Sequence, residues 1–288
     1  MKLLLIDGES LAHRCYYSNI NKEKILANDD GCPIAICSGF MASMRSLLVR
    51  LNPSHLAIAF NSPVNSFRYQ VYPEYKQNRD RHKPEDFVID LRNLRLLLGE
   101  MNICNLNIAG FEVGDILATM VHQTDCPIVI HSNDKKILQL VSDRVSVHYT
   151  HGKTHQIYNP DLVIKEFGFS PNLIPLFKAI AGNSSDNIKG VAGIGKITAT
   201  QLIKQQGDLA NIFANLSELK PKMQSKLQEN KLLINQLLQV TTFDKDIPLK
   251  FSLENCQLNQ INTRTSIAPE LEIQHLIDKL SGYLTVNC

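Results

Sequence analysis

Two apolar patterns alternate along the first half of the chain. Short apolar runs occupy residues 2–6 and 56–60, and residues 102–108, 128–131 and 145–149 also read as strands. Apolar runs of that length suit strands buried on both faces of a parallel sheet. Between them, residues 38–50, 85–100, 113–122 and 135–141 carry apolar positions at helical spacing. Pro84 stands at a favoured opening position for the second of these helices. The alternation predicts an α/β fold, a mostly parallel sheet with flanking helices. From about residue 161 to 243 the pattern changes to short helical segments joined by Gly, Pro and Asn turns, with weak strand signal. The expected organisation is an α/β domain over 1–160 and a helical domain over 161–288, with no readable pattern after about residue 246.

Composition narrows this picture only slightly. The 288 residues are 44% apolar, enough for one large core or two modest ones. A net charge of +2 does not mark a nucleic-acid binder, so any such binding has to come from local patches. The apolar run before Asp7 is too short for a signal-peptide core, and no stretch reaches the roughly 18 apolar residues of a membrane span. The seven cysteines are odd in number and scattered, without a CxxC pair. They read as reduced thiols of a cytoplasmic protein, not as a disulfide frame or a zinc site.

Open α/β sheets bind ligands outside the carboxyl ends of their strands. Asp7 directly follows the first strand, and Asp134 follows the strand over 128–131. Glu112 and Asp115 open the helix after Gly110, three residues apart and so on one face. Asp186 lies in the polar loop GNSSDN. Carboxylates converging from several strand ends suit magnesium or manganese, hard cations that take oxygen ligands. The alternative for each acid is a helix cap or a solvated loop position. Asp7 fits that alternative least, because an acid ending a buried strand needs a partner.

The segment Gly190 to Thr198, GVAGIGKIT, nearly matches a Walker loop, but Ile197 stands where Ser or Thr must hold magnesium. Its polar lead-in also lacks the buried strand a Walker loop follows. A glycine turn opening a helix is the better reading. Gly190, Gly193 and Gly195 would let the backbone approach a DNA phosphate, with Lys196, Thr198 and the helix N–H groups beside it. A plain turn between packed helices is the alternative. Residues 64–84 interleave Arg68, Lys76, Arg79, Arg81 and Lys83 with Phe67, Tyr69, Tyr72 and Tyr75. Cations beside flat rings suit single-stranded DNA, and a solvated loop with partly buried tyrosines gives a similar pattern.

Taken in order, the stretches LLLIDGESLAHR, SFRYQVYPEYKQNR, GFEVGDILA, SNDKKILQLVSDR and AIAGNSSDNIKGVAGIGKITATQLI resemble the 5′-nuclease family. The family comprises flap endonucleases and 5′–3′ exonucleases, and the likeness extends to the amino-terminal nuclease region of DNA polymerase I. The resemblance implies a PIN-like α/β nuclease domain followed by a helix-three-turn-helix DNA-binding domain. It also implies hydrolysis of DNA phosphodiesters near 5′ ends or flaps with two magnesium ions, and a potassium ion as a candidate at the glycine loop. Carried over by position, Arg14, Lys76 and Arg79 resemble residues that neutralise the scissile phosphate, and Tyr75 one that stacks on the reacting end. The expected partners are branched or 5′-ended DNA and a DNA polymerase, with the protein a monomer and no membrane contact.

The carboxylates depart from the family pattern. The nine positions that resemble family acids are Asp7, Asn61, Glu112, Gly114, Asp115, Asp134, Lys136, Asn183 and Asp186, and four of them are not acids. Fewer oxygens hold two mutually repelling cations poorly, so fewer ions than two are expected. Lys136 either points to solvent or brings its ammonium to the vacated second-ion position. Three functions follow: a 5′-nuclease with depleted metal ligands, a DNA-binding relative with impaired catalysis, and an RNA-cutting PIN-type nuclease, which the helical half and the glycine loop disfavour.

Overall fold

The computed structural model describes residues 1–288 except 19–25, 80–82, 153 and 288. Asp80 and Arg81 of the basic segment and Cys288 therefore lie outside the described residues. The elements run β1 (Leu3–Asp7), α1 (Gly8–Ser18), α2 (Ala35–Leu51), β2 (His55–Ala59), α3 (Arg68–Val71), α4 (Glu85–Glu100), β3 (Cys104–Leu106), α5 (Val113–His122), β4 (Ile128–His131), β5 (Val145–His151) and β6 (Thr154–Tyr158). They continue as α6 (Pro160–Phe167), α7 (Ile174–Ala181), α8 (Lys196–Gln206), α9 (Leu209–Ala214), α10 (Pro221–Glu229), α11 (Lys231–Thr241), α12 (Ile267–Glu270) and α13 (Gln274–Asn287).

The strands form one sheet in the order β3-β2-β1-β4-β5-β6. All neighbours pair in parallel except β5 and β6. The apolar runs at 2–6 and 56–60 become buried strands, while residues 104–106 form a short, half-buried β3. Leu3 and Leu5 of β1 enter a core with α5 and the helical half, while Leu4 and Ile6 enter a second core with α1, α2 and α4. Strand β6 was not expected, because four of its five residues are exposed and show no apolar alternation. Main-chain pairing to β5 holds it in place. Residues 135–140 form a 3-10 helix in place of the expected α-helix, and the Asp134 carboxylate caps it by accepting the Lys136 N–H at 2.8 Å.

The tail is the main departure from the expected domain split. Leu258, Ala268, Leu271, Ile273, Ile277, Leu280 and Leu284 all join the core beside α2 and α4. The Tyr283 hydroxyl donates to the Leu48 carbonyl at 3.0 Å, and Arg45 Nε donates to the Lys279 carbonyl at 3.0 Å. Residues 253–287 thus return to the α/β half, whereas the sequence suggested that everything from 161 to 288 was one helical unit. An apolar stripe this short cannot stay folded alone and takes the partner with the vacant face.

Candidate active site

The chain leaves β1 for β2 and β3 on one side, then returns to place β4 on the other. A crevice opens where that order reverses, beyond the carboxyl ends of β1 and β4. It forms a cleft of about 1370 Å³ whose lining includes Asp7, Glu112, Asp134, Lys76, Arg79 and Lys136.

Asp7 ends β1 at 5% exposure. The Ser10 N–H donates to its Oδ1 at 2.9 Å, and the Ser132 hydroxyl donates to its Oδ2 at 2.6 Å. Burial pushes this carboxyl up to about 6, against the pull of those two hydrogen bonds. Glu112 has the opposite balance. Burial would raise it, but Lys76, Lys136 and Arg68 outweigh burial and hold it near 2. Lys76 Nζ lies 2.7 Å from Glu112 Oε1, and the Tyr75 hydroxyl donates to Oε2 at 3.1 Å. Lys76 adopts a left-handed backbone (φ 54°), and its N–H donates to the Asp186 carbonyl at 2.9 Å. The turn from the basic segment is thereby fastened to the helical half.

Lys136 is the pivot of the cluster. Its side chain is buried, with Nζ 3.0 Å from Asp186 Oδ2 and 3.4 Å from Asp134 Oδ2. Burial alone would depress this ammonium, yet Asp134, Asp186 and Glu112 hold it well above the ordinary lysine range. Asp186 also takes Arg79 Nη2 at 2.9 Å and Asn183 Nδ2 at 2.7 Å. Lys136 therefore does not point to solvent. Its ammonium lies between two of the acids that a second cation would need.

Several expected roles meet a different geometry. Asp115 is fully buried and closed in a bidentate pair with Arg68, Nη1 to Oδ2 at 2.6 Å and Nη2 to Oδ1 at 2.7 Å. It also accepts the N–H groups of Glu112 and Asp244. Its oxygens are engaged by protein donors in this structure, whereas the sequence suggested a metal ligand. Arg68 is 1% exposed and donates further to the carbonyls of Val240 and Thr242, so it does not reach DNA in this structure. Tyr75, at 1% exposure, packs with Tyr72, Ala179, Ile188 and Leu237, and its ring is not a stacking surface here. Gly190 is buried with φ 68°, and a Cβ there would stand 2.4 Å from the Gly182 nitrogen, so it shapes the loop from inside. Gly193, Gly195 and Lys196 are exposed, and Thr198 is partly so. Gly195 caps α8 with open space around it. Arg14 lies outside the cleft, donating Nη1 to Thr150 Oγ1 in a separate cavity.

A two-ion centre does not fit these side chains. Among the described residues no three or more His, Cys, Asp or Glu side chains gather as a metal-holding group. Apart from Asp7, each of the five acids is within 4 Å of a lysine or arginine nitrogen. Asp7 and the half-exposed Asp134 are the side chains that could hold a single ion. The other lost acids are closed off. Asn61 Oδ1 accepts the Val113 N–H at 3.0 Å, and a Cβ on Gly114 would stand 2.2 Å from Phe243 Cε1. Ser132 and Phe243 were not singled out in the sequence, because a lone serine and a lone phenylalanine carry no spacing signal.

A mostly parallel sheet with carboxylates at its switch point, an adjoining helical half and a glycine-capped helix define the fold class. Comparison with known proteins gives the same class. Residues 2–168 match the 5′–3′ exonuclease N-terminal resolvase-like domain, and residues 169–264 match the 5′–3′ exonuclease C-terminal SAM fold. The chain belongs to the 5′–3′ exonuclease family. DNA polymerase I of Synechocystis is 32% identical over 98% of the chain, which spans 30% of that relative's length. Bacteriophage T5 5′-exonuclease, solved with zinc, superposes with a TM-score of 0.71 at 22% identity, covering 99% of this chain and 98% of the other. An aspartate-to-lysine variant of T5 flap endonuclease, solved as a pseudo-enzyme–product complex with DNA and metal ions, superposes with a TM-score of 0.68 at 21% identity, covering 100% and 99%. No described helix is long and apolar enough to cross a membrane.

Proposed function

We propose that this chain is a metal-dependent 5′–3′ exonuclease or flap endonuclease of low turnover, acting on branched or 5′-ended DNA. One observation carries this: Asp7 stands in the switch-point crevice without a cation partner among the described residues, while Lys136 bridges Asp134 and Asp186. Asp7 and Asp134 would hold one magnesium or manganese ion. When bound, that ion supplies charge stabilisation and an activated water. The chain's own residues do the rest. Lys76 and Arg79 face the cleft as fixed cations for a phosphate. Lys136 supplies a positive charge at the place of the second ion, as a point charge that cannot orient a leaving oxygen. Gly193, Gly195 and Lys196 present backbone N–H groups and charge to a duplex phosphate at the start of α8, where potassium is the candidate ion.

The second reading is a DNA-binding protein with impaired catalysis, favoured by the cations already paired with Glu112, Asp115, Asp134 and Asp186. The aspartate-to-lysine pseudo-enzyme complex with DNA is a precedent for binding by such a variant. A DNA polymerase is the partner either reading implies, with this chain as a monomer. Cleavage of a 5′-flap in magnesium or manganese, beside binding of the same flap in EDTA, separates the two. Slow metal-dependent cleavage that Asp7→Ala abolishes supports the nuclease. Full binding with no cleavage in either metal refutes it in favour of the binder.

A further inference from the structure

A second cavity, of about 240 Å³, opens beside the carboxylate cleft. Its lining includes Arg14, Ser43, Ser46, Arg50, His148 and His155, and it contains no carboxylate. Asn133 stands between the two spaces. Its N–H donates to Ser10 Oγ at 3.2 Å on the cleft side, and its Oδ1 accepts from Thr150 Oγ1 at 3.0 Å on the other. Thr150 also accepts from Arg14.

The histidines reveal what this cavity offers. His131 Nδ1 lies 3.1 Å from the His148 carbonyl oxygen and 3.0 Å from His148 Nδ1. A carbonyl oxygen only accepts, so the proton sits on His131 Nδ1. His148 Nδ1 is then the acceptor in its contact. Both rings are neutral near pH 7, since burial and the neighbouring histidines and arginines hold them near 3 and 4. A neutral His148 with a bare Nδ1 carries its proton on Nε2. That N–H is buried and has no partner among the described residues. An unsatisfied buried donor is uncommon and calls for an acceptor. The exposed His155 ring stacks on His148 at 5.4 Å and lines the same cavity. Two guanidiniums, two serine hydroxyls and a buried N–H form an all-donor set that suits a phosphate.

We propose that this cavity binds a phosphate group, with Arg14, Arg50 and the His148 Nε2–H as its donors. The phosphate is the phosphodiester of a DNA strand running past the cleft, an assignment that rests on the DNA-binding reading above. Inorganic phosphate shares the chemistry and is the other source.

Two measurements test this, both in EDTA so that cleavage plays no part. Histidine-selective proton–nitrogen spectra read the tautomer directly. The expected form of His148 is Nε2–H, and titration with inorganic phosphate shifts that resonance saturably. An Nδ1–H tautomer, or no shift, overturns the proposal. The second measurement is affinity for a 5′-flap across salt in wild type, Arg50→Ala and His148→Phe. Arg50 is exposed, so its variant keeps the fold if the buried His148 variant does not. Each change weakens binding about tenfold, as the loss of one charge-assisted contact does. Arg50→Ala also lowers the salt slope by about one. A phosphate shift with unchanged flap affinity assigns the site to free phosphate. Neither a shift nor a loss of affinity removes the site, whether or not the protein cleaves DNA.

Discussion

The Arg68–Asp115 pair offers the sharpest test of how this fold uses its acids. Replacing Asp115 with Ala removes both carboxylate oxygens from a guanidinium that is 1% exposed. Arg68 then keeps only carbonyl and hydroxyl acceptors, Val240, Thr242 and Ser66, and its charge loses its direct carboxylate partner, with only the more distant Glu112 left to offset it. Breaking one partner of a buried pair costs about 3–5 kcal/mol. The N–H groups of Glu112 and Asp244 lose an acceptor as well, so the upper end applies. At about 2–4 °C per kcal/mol for a chain of this size, melting falls by roughly 10 °C or more. Replacing both partners, Arg68→Met with Asp115→Leu, recovers most of that loss, because no buried charge remains. Calorimetry and urea unfolding read the three variants, and manganese titration runs beside them. A loss under about 1 kcal/mol for Asp115→Ala, or a loss of manganese affinity with stability intact, would refute the structural role and return Asp115 to the metal site.

Three further outcomes are expected. Gly195→Asp places a carboxylate where a phosphate would sit, at an open position that favours Asp as a helix cap; flap binding falls about tenfold while stability holds or gains a few tenths of a kcal/mol, and undiminished binding would exclude the loop as a contact. The Asp7 carboxyl titrates near 6 folded and near 3.8 unfolded, so the folded state binds its proton more tightly. Its stabilisation is complete below about pH 3.8 and is lost as pH rises through about 6; Asp7→Asn therefore stabilises the protein at pH 8 by about 1–3 kcal/mol, and a stability–pH profile unchanged by that substitution would contradict the burial argument. Rebuilding the acids by Asn61→Asp, Gly114→Asp, Lys136→Asp and Asn183→Asp fails as it stands, because a Gly114 Cβ overlaps the Phe243 ring and overpacking costs about 1–3 kcal/mol. Adding Phe243→Ala makes room, and flap cleavage in magnesium rises strongly; a folded, DNA-binding fivefold variant with no gain would show that divergence extends beyond the metal site.

Much of this was determined by the sequence alone. Unbroken apolar runs bounded by polar turns have few alternatives, so β1, β2, β4 and α5 fall within a residue or so of where the pattern puts them. Asp7 follows its strand with no room for slippage, and the ordered motifs identify the family. Strand β6 was not legible, because its exposed polar residues are held by main-chain pairing, which leaves no mark on side-chain pattern. The tail was not legible because its partners, α2 and α4, lie more than 150 residues away.

The charges show the same division most clearly. Sequence can count acids and lysines, but pairing depends on distances that only the folded backbone sets. Asp115 looked like Glu112's companion, yet α5 turns it inward to Arg68. Lys136 had two readings until the 3-10 turn and the 183–187 loop met around it. The His148 proton follows from a carbonyl 3.1 Å from a neighbouring ring, a fact no linear pattern contains. Local sequence sets which side chains stand at the strand ends, and tertiary packing decides which of them are already neutralised.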